Sequence, residues 1–392
     1  MRVLHVVGNL DADAGGSTSA AFHVCGYLLA HGVDAQLAGT WEGPGAAEYI
    51  TEQWPELVVH GFERRAPRHY WHSPSLRRWL WQHARSFDLL VVNGLFKFPF
   101  VDAARAARRA AVPYLVQPHG SLDPYDLRKH RVAKRVYGPL VARPLLSWSA
   151  GAIVTSERER TQLVTYGADV DVHVVPLPVA ALVRPGDGER FRRSIGVSPE
   201  APLVLFLSRI DQKKGLERLL HALRAIVSSR PTLKLVIVGG VEDRRYAERL
   251  EALAAELGVT SSLIWAGLRI GESKWDAFAS ADVFTLPSDY ENFGIVVIEA
   301  LLAERPVVIS DGVYIASDLA DEGVADVCGQ DVPSLVAALE RVLSDKNRAE
   351  AMARRGRQAV QARFAPEAAT AAVMDVYRAA HARGRAPSAG DN

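Results

Sequence analysis

The sequence predicts an α/β protein made of two doubly wound parallel-sheet domains. Short runs rich in Val, Ile and Leu alternate with longer amphipathic segments almost from end to end, the pattern of βα units. These runs are near-continuously apolar rather than alternating, as befits strands covered on both faces. A chain of 392 residues is also too long for one ordinary hydrophobic core.

In the first half, strands are expected at Val3–Gly8, Ala35–Gly39, Leu57–His60, Leu89–Asn93, Tyr114–Gln117, Ala152–Thr155 and Val172–Val175. Helical patterns lie between them, as in Ser17–Ala30 and Phe100–Ala110. The stretch PLPVAALVRPGDGERF breaks this rhythm, and its prolines with Gly186 and Gly188 read as a connector. The expected division is therefore a first domain over 1–183 and a linker over 184–200. A second series over 201–365 brings strands at Leu203–Ile210, Leu233–Gly240, Ser262–Leu268, Asp282–Ser288 and Pro306–Ser310. Beyond Asp331 the chain is mostly helical; Pro366 opens a last helix over 366–383, and 384–392 has the composition of a frayed tail.

Composition narrows the function classes. A charged fraction of 23% and a net charge of +1 give no global reason to expect a nucleic-acid partner. Cys25 and Cys328 sit far apart in apolar segments and read as reduced core residues, without a disulfide or a metal quartet. The N-terminus lacks the pattern of a signal peptide, and no apolar run approaches the roughly 18 residues of a membrane span. The expectation is a cytoplasmic protein with at most peripheral membrane association.

Two motifs in the second half carry chemistry. In DYENFGIVVIEALLAERPVVIS, Glu291 and Glu299 flank a helix start at Phe293 and Gly294. Gly294 permits close backbone approach, free amides at a helix start favour an anion, and a carboxylate accepts hydroxyl hydrogen bonds from a polyol. In SRIDQKKGLERLLHAL, Arg209 and Lys214 fall at a strand end before a helix that starts near Gly215. Two fixed cations at such an edge suit a diphosphate, where they would stabilise a departing anion without a metal.

SRIDQKKGLERLL, LVIVGG and ENFGIVVIEAL together resemble the C-terminal domain of family 4 glycosyltransferases. These are retaining enzymes of the GT-B fold, in which two Rossmann-like domains face each other across a cleft and a C-terminal helix returns to the N-terminal domain. The resemblance implies that Glu299 holds the ribose of a nucleotide-sugar donor and that Glu291 lies near the sugar hydroxyls. It further implies that Asn292, Phe293, Gly294 and Ile295 face the donor, the last three through backbone, that Arg209 and Lys214 clamp the diphosphate, and that Leu268 lies near the base. No metal or other cofactor is expected.

Gly15 and Gly16, after the first strand in GNLDADAGGSTSAAF, match a glycine pair that family members place near the donor phosphate. In QPHGSLDPYDLRKH, His119 and Gly120 stand at a strand end, and the resemblance implies that His119 approaches the donor hexose. Asp11 with Asp13, and Asp169 with Asp171, form D-x-D strings that read as loop acids rather than metal ligands. Arg128, Lys129, Arg131, Lys134 and Arg135 read as a solvated helix face, with an anionic acceptor or lipid surface as the other reading. In RHYWHSPSLRRWLWQHARSF, Trp71, Trp79 and Trp81 suit packing on the sheet, an acceptor platform or a membrane-interface segment.

Asp123 and Asp126 lie near this region, but neither makes a good candidate for the nucleophile of a covalent route. The resemblance instead implies front-side substitution with retention. A hexose-type sugar would pass from a nucleoside-diphosphate donor, with UDP favoured and GDP possible, to a saccharide, lipid-linked or small-molecule hydroxyl acceptor. A nucleotide-sugar epimerase and a non-catalytic nucleotide-sugar-binding protein remain alternative readings of the same architecture.

Overall fold

The computed structural model describes residues 1–11, 15–43, 45, 47–123, 127, 137–167, 169–177, 184–241 and 243–385. The chain divides into two compact units, Met1–Pro178 with Pro366–Asn392, and Val179–Ala365.

The first unit is built on a seven-stranded sheet in the order β3-β2-β1-β4-β5-β6-β7. Its strands are β1 (Arg2–Asn9), β2 (Asp34–Trp41), β3 (Val58–Glu63), β4 (Leu89–Val92), β5 (Tyr114–Val116), β6 (Gly151–Val154) and β7 (Val172–Val174). Every pairing is parallel, so all seven carboxyl ends lie along one edge. The central strands are apolar on both faces because helices cover both. Val3, Leu4, Val6, Leu89, Leu90, Val91 and Val92 are all inaccessible to solvent, and each such side chain contributes about 1.5–3 kcal/mol relative to exposure. Local signals start the flanking helices where a cap supplies an acceptor. Ser73 accepts from Leu76 N ahead of Pro74–His83, and Ser156 accepts from Glu159 N ahead of Glu157–Thr165.

The last helix, Pro366–Arg385, belongs to this first unit. Tyr377 is buried against β1, its hydroxyl 3.0 Å from His5 Nε2. His381 Nδ1 lies 3.1 Å from Asp88 O, and Arg383 pairs with Asp171.

The second unit has a six-stranded sheet in the order β10-β9-β8-β11-β12-β13, again parallel throughout. Its strands are β8 (Leu203–Leu207), β9 (Lys234–Val238), β10 (Leu263–Gly267), β11 (Val283–Leu286), β12 (Val307–Ser310) and β13 (Asp326–Cys328). β13 was not expected from the sequence. It is three residues long and carries a buried acid, Asp326, which Arg341 holds through Nη2 at 2.5 Å and Nε at 3.1 Å. A strand that needs an ion pair has no apolar signature.

The stretch 184–200, read as a connector, contains the helix Gly188–Ser194, capped by Asp187 and docked within the second unit. Arg190 bonds Asp276 and Glu272, and Phe191 is buried. Cys25 and Cys328 are free and buried, as expected.

Candidate functional site

In each sheet the chain runs outward in one direction, then returns beside its first strand. The switch points fall between β1 and β4 in the first unit and between β8 and β11 in the second. Crevices outside the carboxyl ends at such points are where ligands of open α/β sheets bind.

At the second unit's switch point, the loop after β8 carries Arg209 and Lys214 and the loop after β11 carries Glu291. Asp211 accepts from Lys213 N and caps the turn Gln212–Lys214, and Gly215 follows in the left-handed region at φ 68°. A Cβ at Gly215 would stand 2.1 Å from Pro287 O, so glycine is what lets the two loops touch. That contact brings Lys214, 4% exposed, onto the Glu291 carboxylate as an ion pair. Burial pulls the Lys214 ammonium below its ordinary range, an effect opposed by the Glu291 charge. Burial alone would raise Glu291, but the charges of Lys214, Lys213 and Arg209 outweigh it and hold the carboxyl below its usual value. Arg209, Lys214 and Glu291 thus form one electrostatic cluster, with Arg209 partly exposed at its rim.

Glu291 is tied at both backbone atoms to the loop after β12: its N–H donates to Gly312 O at 3.0 Å and its carbonyl accepts from Tyr314 N at 2.9 Å. Gly294, at φ 72° and ψ 52°, then turns the chain into the helix Ile295–Leu302. A Cβ there would meet Glu291 Cγ, Val297 Cγ2 and Val313 Cγ1 at 3.3 Å each. The Phe293 side chain points into the core, edge-on to Phe364 at 5.4 Å, which leaves its backbone at the helix start. Asn292 and Ile295, on either side of Phe293 and Gly294, are partly exposed. Glu299 is 4% exposed and its Oε1 lies 2.6 Å from Lys274 Nζ. Leu268, after the end of β10, is 46% exposed.

Two neighbours escaped the sequence reading. Lys274 lies on the helix Gly271–Ser280, in a segment with no charge pattern to mark it. Arg218, one turn into the helix after Gly215, donates to Pro287 O at 2.7 Å and pairs with Asp289, bracing the same loop contact.

In the first unit, Gly15 (φ 77°) and Gly16 open the helix Gly16–Ala30, whose first turn has neither an acid nor a side-chain cap. His119 follows β5 with φ 49°, a left-handed conformation costing about 1–2 kcal/mol outside glycine. Its Nε2 lies 3.1 Å from Asn93 Oδ1. Asn93 Nδ2 donates to Val6 O and Val91 O, so its amide orientation is set and Nε2 of His119 must carry the proton. Nδ1 then keeps a lone pair. Burial lowers His119 to about 4, so the ring is neutral near pH 7. Gly120 N donates to Glu159 Oε1 at 2.7 Å, while Glu159 Oε2 accepts from Thr155 N and Thr155 Oγ1 at 2.9 and 3.1 Å. Glu159, missed in the sequence, anchors the His119 loop to the end of β6.

Asp11, read as a loop acid, pairs with Arg64 at 2.5 Å and accepts from Glu42 N. Asp13, Asp126 and the basic run Arg128, Lys129, Arg131, Lys134 and Arg135 lie outside the described residues. Trp79 packs among His60, Phe62, His83 and Phe87; Trp71 lies against Phe100 and Lys97; Trp81 is 44% exposed between Arg77 and Arg109. Among the described residues no helix is long and apolar enough to cross a membrane, and no group of three His, Cys, Asp or Glu is placed to hold a metal.

Comparison with known proteins places this architecture. Residues 15–178 match the model of the glycosyl transferase 4-like domain, and residues 187–359 that of glycosyl transferases group 1. The chain is 35% identical over 249 residues to a D-inositol 3-phosphate glycosyltransferase of Acidothermus cellulolyticus, covering 60% of this chain and 55% of that protein. It is 32% identical over 259 residues to a D-inositol 3-phosphate glycosyltransferase of Xylanimonas cellulosilytica, covering 63% and 61%. The chain thus spans little more than half the length of these relatives. Among solved structures, Anabaena HepE, crystallised with UDP and glucose, superposes with a TM-score of 0.78 at 20% identity, covering 96% of this chain and 99% of that one. Sucrose-phosphate synthase of Thermosynechococcus elongatus gives 0.78 at 21%, covering 98% and 100%. One family model matches within each unit and the neighbours share the two-sheet fold, so the chain belongs to the family 4 glycosyltransferases of the GT-B fold.

Proposed function

We propose that the protein transfers a hexose-type sugar from a nucleoside-diphosphate donor, a UDP-sugar first and a GDP-sugar second, to an acceptor hydroxyl with retention and without a metal. The observation that carries this reading is the buried Lys214–Glu291 pair at the β8/β11 switch point, with Arg209 at its rim and a glycine-started helix beside it. A diphosphate seated there meets two cations and the first amides of a helix, which would stabilise the departing oxygen as negative charge develops. In the front-side mechanism that oxygen takes the acceptor proton. Glu291, held in place by Lys214, would receive sugar hydroxyls, and Glu299 the ribose. His119 would offer its Nδ1 lone pair to a hydroxyl of the hexose, a role that suits a neutral ring.

Acceptor trials start from the name of the relatives: D-inositol 3-phosphate first, then simple saccharides and lipid-linked hydroxyls. The deciding experiment is a thermal-shift panel of UDP-, GDP-, ADP- and dTDP-sugars with and without EDTA, followed by proton NMR of the product. A ligand specific to the native state raises the melting temperature by mass action. One nucleotide class stabilising the protein equally with chelator, and a product keeping the donor's anomeric configuration, are the results expected. A shift abolished by EDTA, or an inverted product, overturns the metal-free retaining mechanism. Conversion of donor with no acceptor present would point to an epimerase instead.

A further inference from the structure

We propose that Lys274 is a positioning residue for the donor's ribose, acting through Glu299; the inference rests on the reading of Glu299 as the ribose contact. Glu299 is 4% exposed on the helix Ile295–Leu302, and a carboxylate at that depth needs a compensating partner. Lys274 Nζ supplies it at 2.6 Å from Oε1. The lysine arrives from a different element, the helix Gly271–Ser280, which begins just after the exposed Leu268 expected near the base.

Its backbone is held firmly. Trp275 is buried, and Asp276 accepts from Asp187 N at 2.6 Å and from Arg190 Nε at 2.8 Å. The lysine side chain itself is 24% exposed, and its ammonium reaches the buried carboxylate. The ammonium occupies Oε1, which sets the plane of the carboxylate and leaves Oε2 to accept a ribose hydroxyl. Removing the ammonium frees the carboxylate to rotate away from that hydroxyl.

The test is titration calorimetry of UDP and of 2′,3′-dideoxy-UDP on the full chain and on K274M, K274R and E299Q. For K274M we expect UDP binding to weaken about tenfold, the loss of one charge-assisted contact, with little change for the dideoxy nucleotide. K274R, which keeps the charge, should recover most of the loss. Should K274M fail to fold, K274Q carries the same comparison. Undiminished UDP binding by the variant overturns the proposal, as does an equal loss for both nucleotides, which would mark a merely structural lysine. The underlying reading fails in a distinguishable way: the unaltered chain would bind both nucleotides alike and E299Q would change neither, or neither UDP nor GDP would bind at all.

Discussion

Among the described residues beside the switch point of the first sheet, between β1 and β4, the groups nearest the strand ends are mainly neutral: the Asn93 amide, the His119 imidazole and the backbone of Gly15 and Gly16. Of the described charges nearby, Asp11 is held by Arg64, Lys97 by the carbonyl of His69, and Glu159 by the backbone of Gly120 and Thr155. Beside that of the second sheet, between β8 and β11, the groups are ions: Lys214 with Glu291, Arg218 with Asp289, and Lys274 with Glu299. One topology thus presents a hydrogen-bonding edge in one unit and a charged edge in the other. On the proposed function, a nucleoside diphosphate would seat at the second, and a neutral sugar or acceptor hydroxyl would suit the first.

The sharpest way to break this contrast is to remove the charge. Lys214→Met should lower kcat about 10²–10³-fold in steady-state assays, because it deletes the stabilising cation and takes from Glu291 its ion-pair partner. A fall below tenfold would mean that the charged edge does not serve the leaving group.

Next comes acid. His5 and His119 are lowered to about 3 and about 4, chiefly by burial, from an ordinary 6.5. Below pH 6.5 the unfolded chain takes up protons that the native chain refuses, so stability is full above 6.5 and declines as the pH falls toward 3–4. A loss of a few kcal/mol is expected, on the scale of the shifts. The second unit has a single histidine, His221, which is exposed. Hydrogen exchange at pH 7 and pH 4.5 should therefore show loosening in the first unit, and His5→Gln should blunt it. Equal loosening of both units would contradict this.

His119→Ala should reduce kcat/KM about ten- to a hundredfold, the scale of a lost substrate hydrogen bond, with a smaller effect on binding of the nucleotide alone. If UDP binding fell as far as turnover, the neutral edge would be acting on the nucleotide and not the sugar. The smallest effect expected is from Gly294→Ala. Its left-handed backbone costs about 1–2 kcal/mol, and the new methyl crowds Glu291 Cγ. Melting temperature should drop by a few degrees while donor KM rises severalfold.

Much of the candidate site's placement was legible in the order of residues along the chain. The candidate loop residues follow apolar runs, and a parallel strand's carboxyl end is where its loop must emerge; the positions of Arg209, Lys214, Glu291 and His119 after strand ends could be read by that rule. Asp11 could be read as a loop acid from its context, though its pairing with Arg64 could not. Lys274, Glu159 and Arg218 gave no signal, because each sits on a helix among ordinary charged residues. The helix within 184–200 was hidden by the prolines and glycines around it, and β13 by its buried Asp326.

The sequence alone determined the alternation of strand and helix, the parallel sheets that alternation requires, and the residue types at the strand ends. These are local matters, settled by periodicity, capping and turn chemistry within a few residues. Only the tertiary structure decided which strands are neighbours, and with that which side chains meet. Lys214 and Glu291 are 77 residues apart, Lys274 and Glu299 25, and Gly120 and Glu159 39. Such pairs depend on sheet order and on the reach of each side chain, and neither leaves a periodic trace in the sequence.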